Sequence, residues 1–140
     1  MRLETLPGWA GELLETERVA RLAYVDDGDH PRVLPVTFAI ADGALWSAID
    51  EKPKRLAEPA RIRYLERRPE AALLVDVYDD DWSLLAWVQL LGRIEIVPVE
   101  SSPEAMKALA AKYEPYAART PPGPLLRLSV ERALHWRAAG

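Results

Sequence analysis

The sequence predicts a mainly β fold with flanking helices, in which six antiparallel strands curl into a closed or nearly closed barrel. Three observations carry this. Strand-like runs rich in Val, Ile, Leu and Tyr recur along the chain, several with period-2 alternation. Asp- and Gly-rich turn signals separate the early runs. Helical periodicity is confined to a few short segments, and a barrel hides the edges that so many strands would otherwise expose.

A short helix is expected over 9–17, where Trp9, Leu13 and Leu14 share a face. Strands follow over 19–25, 32–40 and 44–49. In the second of these, Leu34, Val36, Phe38 and Ile40 face one side. Asp26-Asp27-Gly28-Asp29 and Ala41-Asp42-Gly43 are the turns between them, so the three strands read as an antiparallel meander. Pro53 and Pro59 then break the chain. A loop is expected there, with a short turn from Lys54 and a helix over about 60–67 anchored by Ile62 and Leu65. Residues 71–78 form a buried strand, and Asp79-Asp80-Asp81 a connection. Residues 87–97 form the next strand, with Gly92 at a bulge. Ser102 caps a helix with Pro103 at its first position, and Met106, Leu109, Ala110 and Tyr113 form one face. A proline-rich loop around 121–124 leads to a last strand over 125–136.

Hydrophobic residues make up 49% of the 140 and charged residues 29%, the profile of one folded, water-soluble domain spanning 1–140. No apolar run reaches the roughly 20 residues of a membrane span, and no secretory signal opens the chain. There is no cysteine, which excludes disulfides and thiolate chemistry. A cytoplasmic setting is the expectation.

The net charge of −4 argues against a general nucleic-acid binder. Its distribution is uneven. The segment 52–68 carries +5, leaving −9 on the rest. Lys52, Lys54 and Arg55 directly follow a strand and precede a helix, where ammonium and guanidinium groups with free backbone N–H groups suit a phosphate. Composition leaves two readings open, a solvated basic face and an anion site.

Other chemistry is thinly represented. His30 and His135 are too few for a metal site. The Asp79–Asp81 run lacks the spaced ligands of a calcium loop. No nucleophile elbow, dinucleotide fingerprint or P-loop is present. Five tryptophans are read first as core, and second as a lining for a planar ring. The absence of an acid, base or nucleophile is compatible with a redox cofactor, which carries hydride chemistry itself.

The ordered series Arg18-Val19-Ala20-Arg21-Leu22-Ala23, His30-Pro31-Arg32-Val33-Leu34-Pro35-Val36-Thr37-Phe38 and Leu45-Trp46-Ser47-Ala48-Ile49-Asp50 resembles the pyridoxamine 5′-phosphate oxidase-like superfamily. Lys52-Pro53-Lys54-Arg55, Arg61-Ile62-Arg63-Tyr64-Leu65, Arg68-Pro69-Glu70-Ala71, Asp79-Asp80-Asp81-Trp82 and Trp87-Val88-Gln89 with Gly92-Arg93 continue the match, from about residue 9 to Trp136. Within the superfamily the chain looks most like the small oxidoreductases that use the deazaflavin coenzyme F420.

The resemblance implies a six-stranded split β-barrel homodimer with two cofactor sites at the subunit interface. By it, Pro35, Val36 and Thr37 run beside the ring system, and Ser47, Ala48 and Ile49 form the adjoining strand. Lys52, Lys54 and Arg55 contact the phosphate, assisted by Arg61. Trp87 and Gln89 approach from the partner subunit. The implied activity is hydride transfer between reduced F420 and a small unsaturated or quinone-like molecule. The alternatives are an FMN-binding protein and a non-catalytic flavin or F420 carrier or sensor. Tyr64, Arg68 and Gln89 depart from the pattern: related sequences often carry Asn at the first two positions and a basic residue at the third. Oxidation of a vitamin B6 phosphate is not expected, because the extra basic and histidine residues of those enzymes are missing.

Overall fold

The computed structural model describes residues 2–49 and 60–139. Helix α1 (Gly8–Thr16) precedes strands β1 (Ala20–Val25), β2 (Pro31–Val36), β3 (Ala39–Ala41) and β4 (Ala44–Ala48). Helix α2 (Ala60–Arg67) leads to β5 (Glu70–Val77) and β6 (Ala86–Val97). Helices α3 (Pro103–Lys112) and α4 (Glu114–Ala118) precede the last strand, β7 (Leu125–Arg137). No helix among the described residues is long and apolar enough to cross a membrane.

The seven strands form one antiparallel sheet in the order β2-β1-β5-β6-β7-β4-β3. This corrects the expected count of six strands and the meander expected of the first three. The run 32–40 is two strands: β2 pairs with β1, β3 pairs with β4, and they lie at opposite edges of the sheet. Only Thr37 and Phe38 separate them, a link that spans about 10 Å at most. The sheet must therefore curl until its edges nearly meet. The barrel is split, not closed, because β2 and β3 are not hydrogen-bonded neighbours. The exposed edge strand β2 begins at Pro31 and carries a second proline at Pro35.

Two apolar clusters hold this curl. The barrel interior collects Leu14, Leu22, Phe38, Leu45, Ile49, Ile62, Leu65, Val88, Leu90 and Leu128 with their neighbours. A second cluster lies outside the barrel wall, where Ala105, Leu109, Tyr113 and Tyr116 cover Ala44, Trp46, Ala48 and Leu125. Strand β4 is buried at every position because it is covered on both faces. Trp46 fits the core reading and donates its indole N–H to the Ala41 carbonyl at 2.8 Å. Trp82 and Trp136 do not fit it, since both are exposed.

The expected bulge is present. Pairing of β6 with β7 shifts register between Leu91 and Gly92, and β7 carries the extra residue, Glu131. A Cβ on Gly92 would sit 1.9 Å from the Ser129 carbonyl oxygen. Ser102 opens α3 in a different way from that expected. Its side chain makes no capping bond, and its carbonyl accepts the Met106 N–H at 3.2 Å.

Candidate functional site

The open seam of the barrel holds a pocket of about 250 Å³. Pro35, Val36 and Thr37 reach it from the end of β2 and the crossover. Ala48 comes from the end of β4, and Arg61 from the first turn of α2. Five residues expected at a cofactor site are thus brought together. Val19 and Leu34 complete the wall and were not anticipated. Val19 is an exposed aliphatic residue just before β1, a position that composition does not single out.

The remaining expected residues divide into three groups. Ser47 and Ile49 flank Ala48 but are buried, with Ile49 in the barrel interior. Trp87 and Gln89 line a separate groove of about 450 Å³ with Leu74 and Asp76, on the outer face of β5 and β6. Lys52, Lys54 and Arg55 lie outside the described residues.

The basic helix serves two purposes. Arg61 faces the pocket. Arg67 meets Asp27 at 3.0 Å, Arg63 meets the same carboxylate at 3.8 Å, and Arg68 meets Asp29 at 2.7 Å. The outer arginines are therefore solvated partners of the β1–β2 turn, each pair worth little by itself. That turn is organised by Asp26, which accepts the Gly28 and His30 amides at 2.9 and 3.0 Å. The His30 amide, helped by Gly28 and Arg32, holds the Asp26 carboxyl below its usual range. His135 packs edge-on against Trp9. Among the described residues no cluster of ligands suits a metal ion. Asp81 instead accepts the Ser83 N–H and O–H in the β5–β6 connection.

The crossover that forms the pocket wall is clamped from behind. The Phe38 N–H donates to the Tyr113 hydroxyl at 3.0 Å, and that hydroxyl lies 3.1 Å from the Phe38 carbonyl and 2.9 Å from the Arg18 carbonyl. Burial pushes the Tyr113 phenol above its ordinary pKa, against the Phe38 amide and Arg18. Next along, the Tyr116 hydroxyl lies 2.8 Å from Thr37 Oγ1. The two tyrosines of the outer cluster therefore fix the geometry of the inner pocket. Tyr113→Phe is expected to cost about 1–3 kcal/mol in urea denaturation, because it strips the buried Phe38 backbone groups of their partner. A cost below about 0.5 kcal/mol would remove the hydroxyl from this role.

Among the described residues, the geometry offers an apolar slot with the Arg61 side chain in its lining. Such a slot suits the edge of a planar ring joined to an anion. At about 250 Å³ it lies below the usual range for a whole drug-sized ligand.

Solved structures share this architecture. A conserved hypothetical protein from Mycobacterium tuberculosis superposes with a TM-score of 0.76 at 19% identity, over 98% of this chain and 89% of that one. A FAD-binding protein from Mesorhizobium loti gives 0.70 at 22% identity, covering 96% of each chain. The heme storage protein HutZ from Vibrio cholerae gives 0.71 at 17% identity, over 98% and 95%. At these identities the likeness is one of fold. No curated protein sequence matches the chain. The sequence profile of the pyridoxamine 5′-phosphate oxidase family matches residues 10–137, nearly the full length, with the seam pocket inside the matched region. The chain belongs to the pyridoxamine 5′-phosphate oxidase family.

Proposed function

We propose that this protein is an oxidoreductase that holds a phosphorylated flavin-type cofactor, preferentially coenzyme F420, in the seam pocket of a homodimer. The observation that carries the reading is the convergence of Pro35, Val36, Thr37 and Ala48 with Arg61 in one slot. The apolar wall receives the ring system, and Arg61 attracts the phosphate, joined by Lys52, Lys54 and Arg55 from the adjoining segment. The acidic tail of F420 favours it over FMN beside a segment of charge +5. The cofactor supplies hydride transfer to a small unsaturated or quinone-like acceptor, and the protein supplies position and charge.

The size of the slot and the outer groove support the dimer. Leu74, Trp87 and Gln89 form an accessible, partly apolar surface, with Trp136 opposite Trp87 on β7. A second copy of the chain would cover that surface and complete the site from its own Trp87 and Gln89.

Titration with F420 and with FMN, followed by fluorescence, tests the cofactor. F420 is expected to bind, and Arg61→Gln to weaken it roughly 10- to 100-fold, as for a lost charge-assisted hydrogen bond. Tight FMN binding without F420 binding would reject the cofactor choice. Stopped-flow oxidation of the bound reduced cofactor by quinones tests turnover. No acceleration over the free cofactor would leave a carrier, the role suggested by the heme storage relative.

A further inference from the structure

A second pocket of about 410 Å³, sharing no lining residue with the seam pocket, lies between α1, β3 and α3. Leu14 and Ile40 give it apolar walls, and its polar groups are Glu15, Arg18 and Lys112. Lys112 is half-buried there. Its Nζ donates to the Leu14 carbonyl at 3.1 Å and rests 3.6 Å from the centre of the Phe38 ring. The Arg18 guanidinium lies over the Tyr113 ring, 4.8 Å from its centre.

Among the described residues, the charged groups that act on this amine belong to one short stretch. Glu15 and Glu17 favour the ammonium form, and Arg18 opposes it. Burial outweighs them all and lowers the Lys112 pKa to about 8. Near pH 7.4 roughly a fifth of such an amine is neutral, against about one part in a thousand for an ordinary lysine. The Leu14 carbonyl and the Phe38 ring also hold the side chain in one place, which lowers the entropy cost of a reaction at Nζ.

We propose that Lys112 is the nucleophile of a second site, which captures small carbonyl compounds bearing an anionic group, with Arg18 holding the anion. The amine nitrogen attacks the carbonyl carbon and forms a C–N bond. The carbonyl oxygen leaves as water, taking up the protons released by nitrogen, and an imine remains. No electron is gained or lost, and no further reactant is required. Uptake of one proton from solvent water gives the protonated imine, whose N–H faces the Leu14 carbonyl. Glu15 places a negative charge on the same wall, so the site favours a monoanion, such as a small oxo acid, over a phosphate dianion. Leu14 and Ile40 accommodate a short aliphatic chain.

Competitive labelling of the full chain with glyoxylate and cyanoborohydride at pH 7.4 tests the site, read lysine by lysine by peptide mass spectrometry. Lys112 is expected to label at least about tenfold faster than the exposed Lys107 on the same helix, because its own amine is partly neutral at this pH and its side chain is held in place beside Arg18. Arg18→Gln is expected to slow labelling of Lys112 by glyoxylate severalfold more than labelling by uncharged acetaldehyde, whose smaller fall reflects only the loss of a charge that disfavours the ammonium form. Equal rates at Lys112 and Lys107 in the unaltered protein would overturn the proposal. A parallel fall with both probes in the variant would overturn anion recognition by Arg18.

Discussion

Gly92→Ala is expected to lower the melting temperature by roughly 10 °C or more, corresponding to about 3 kcal/mol. The reason is local and severe. The added methyl carbon would lie 1.9 Å from the Ser129 carbonyl oxygen and 2.9 Å from its carbonyl carbon. Both are backbone atoms of the partner strand, so no side chain can rotate away. Relief requires β6 and β7 to separate where the bulge draws them together, and these two strands form the longest pairing in the sheet. Overpacking in ordinary cores costs about 1–3 kcal/mol because neighbours yield. Here the neighbour is a hydrogen-bonded ladder. A melting temperature within about 2 °C of the unaltered protein would show that the bulge relaxes freely. Deleting Glu131, the extra residue of the bulge, is the complementary change: it brings Val130 and Arg132 side by side opposite Gly92 and Leu91 and leaves every later residue of β7 on its present partner.

Phe38→Ala is expected to cost about 3–5 kcal/mol in urea denaturation, at the upper end for a core truncation. Phe38 is fully buried in the barrel interior, and its backbone belongs to the two-residue crossover. The ring also faces the Lys112 ammonium, so truncation removes a cation–π partner from a half-buried charge. Phe38→Leu keeps most of the volume and is expected to recover all but about 1.5 kcal/mol. A cost below about 1 kcal/mol for the alanine variant would mean that the crossover is not held by its side chain. Because Thr37 lines the seam pocket, the alanine variant is also expected to weaken binding of the cofactor proposed for it.

The crossover also explains what the sequence conceals. Leu34, Val36, Phe38 and Ile40 were expected to face one side, and all four pack against the barrel interior. Their alternation continues across the break at Thr37 and Phe38 because β2 and β3 line the same interior from opposite edges. Periodicity therefore merges two strands into one, and the meander it implies is wrong while the facing is right. Helix α2, the turn at Asp26–Asp29 and the bulge at Gly92 were legible because each depends on local chemistry. Pro35, Val36, Thr37, Ala48 and Arg61 were legible as a group only through the family resemblance. Val19 and Leu34 were not, since an aliphatic pocket wall resembles any strand residue. The division of the arginines was hidden too: only the folded chain brings Asp27 and Asp29 to Arg63, Arg67 and Arg68. Lys112 gave no sequence signal, because its burial depends on α1 crossing a helix about a hundred residues away.

The prolines of β2 bear on how copies of this chain meet. In a ladder, proline is tolerated where its missing N–H would point away from the neighbouring strand. Pro31 and Pro35 are four residues apart and share one orientation, while β1 occupies the other side of β2. The outward rim thus lacks donors at two of its positions, and Arg32 adds charge beside it. Such a rim is a poor template for strand addition by another chain. Ribbon-like stacking of crowded copies through this edge is thereby disfavoured.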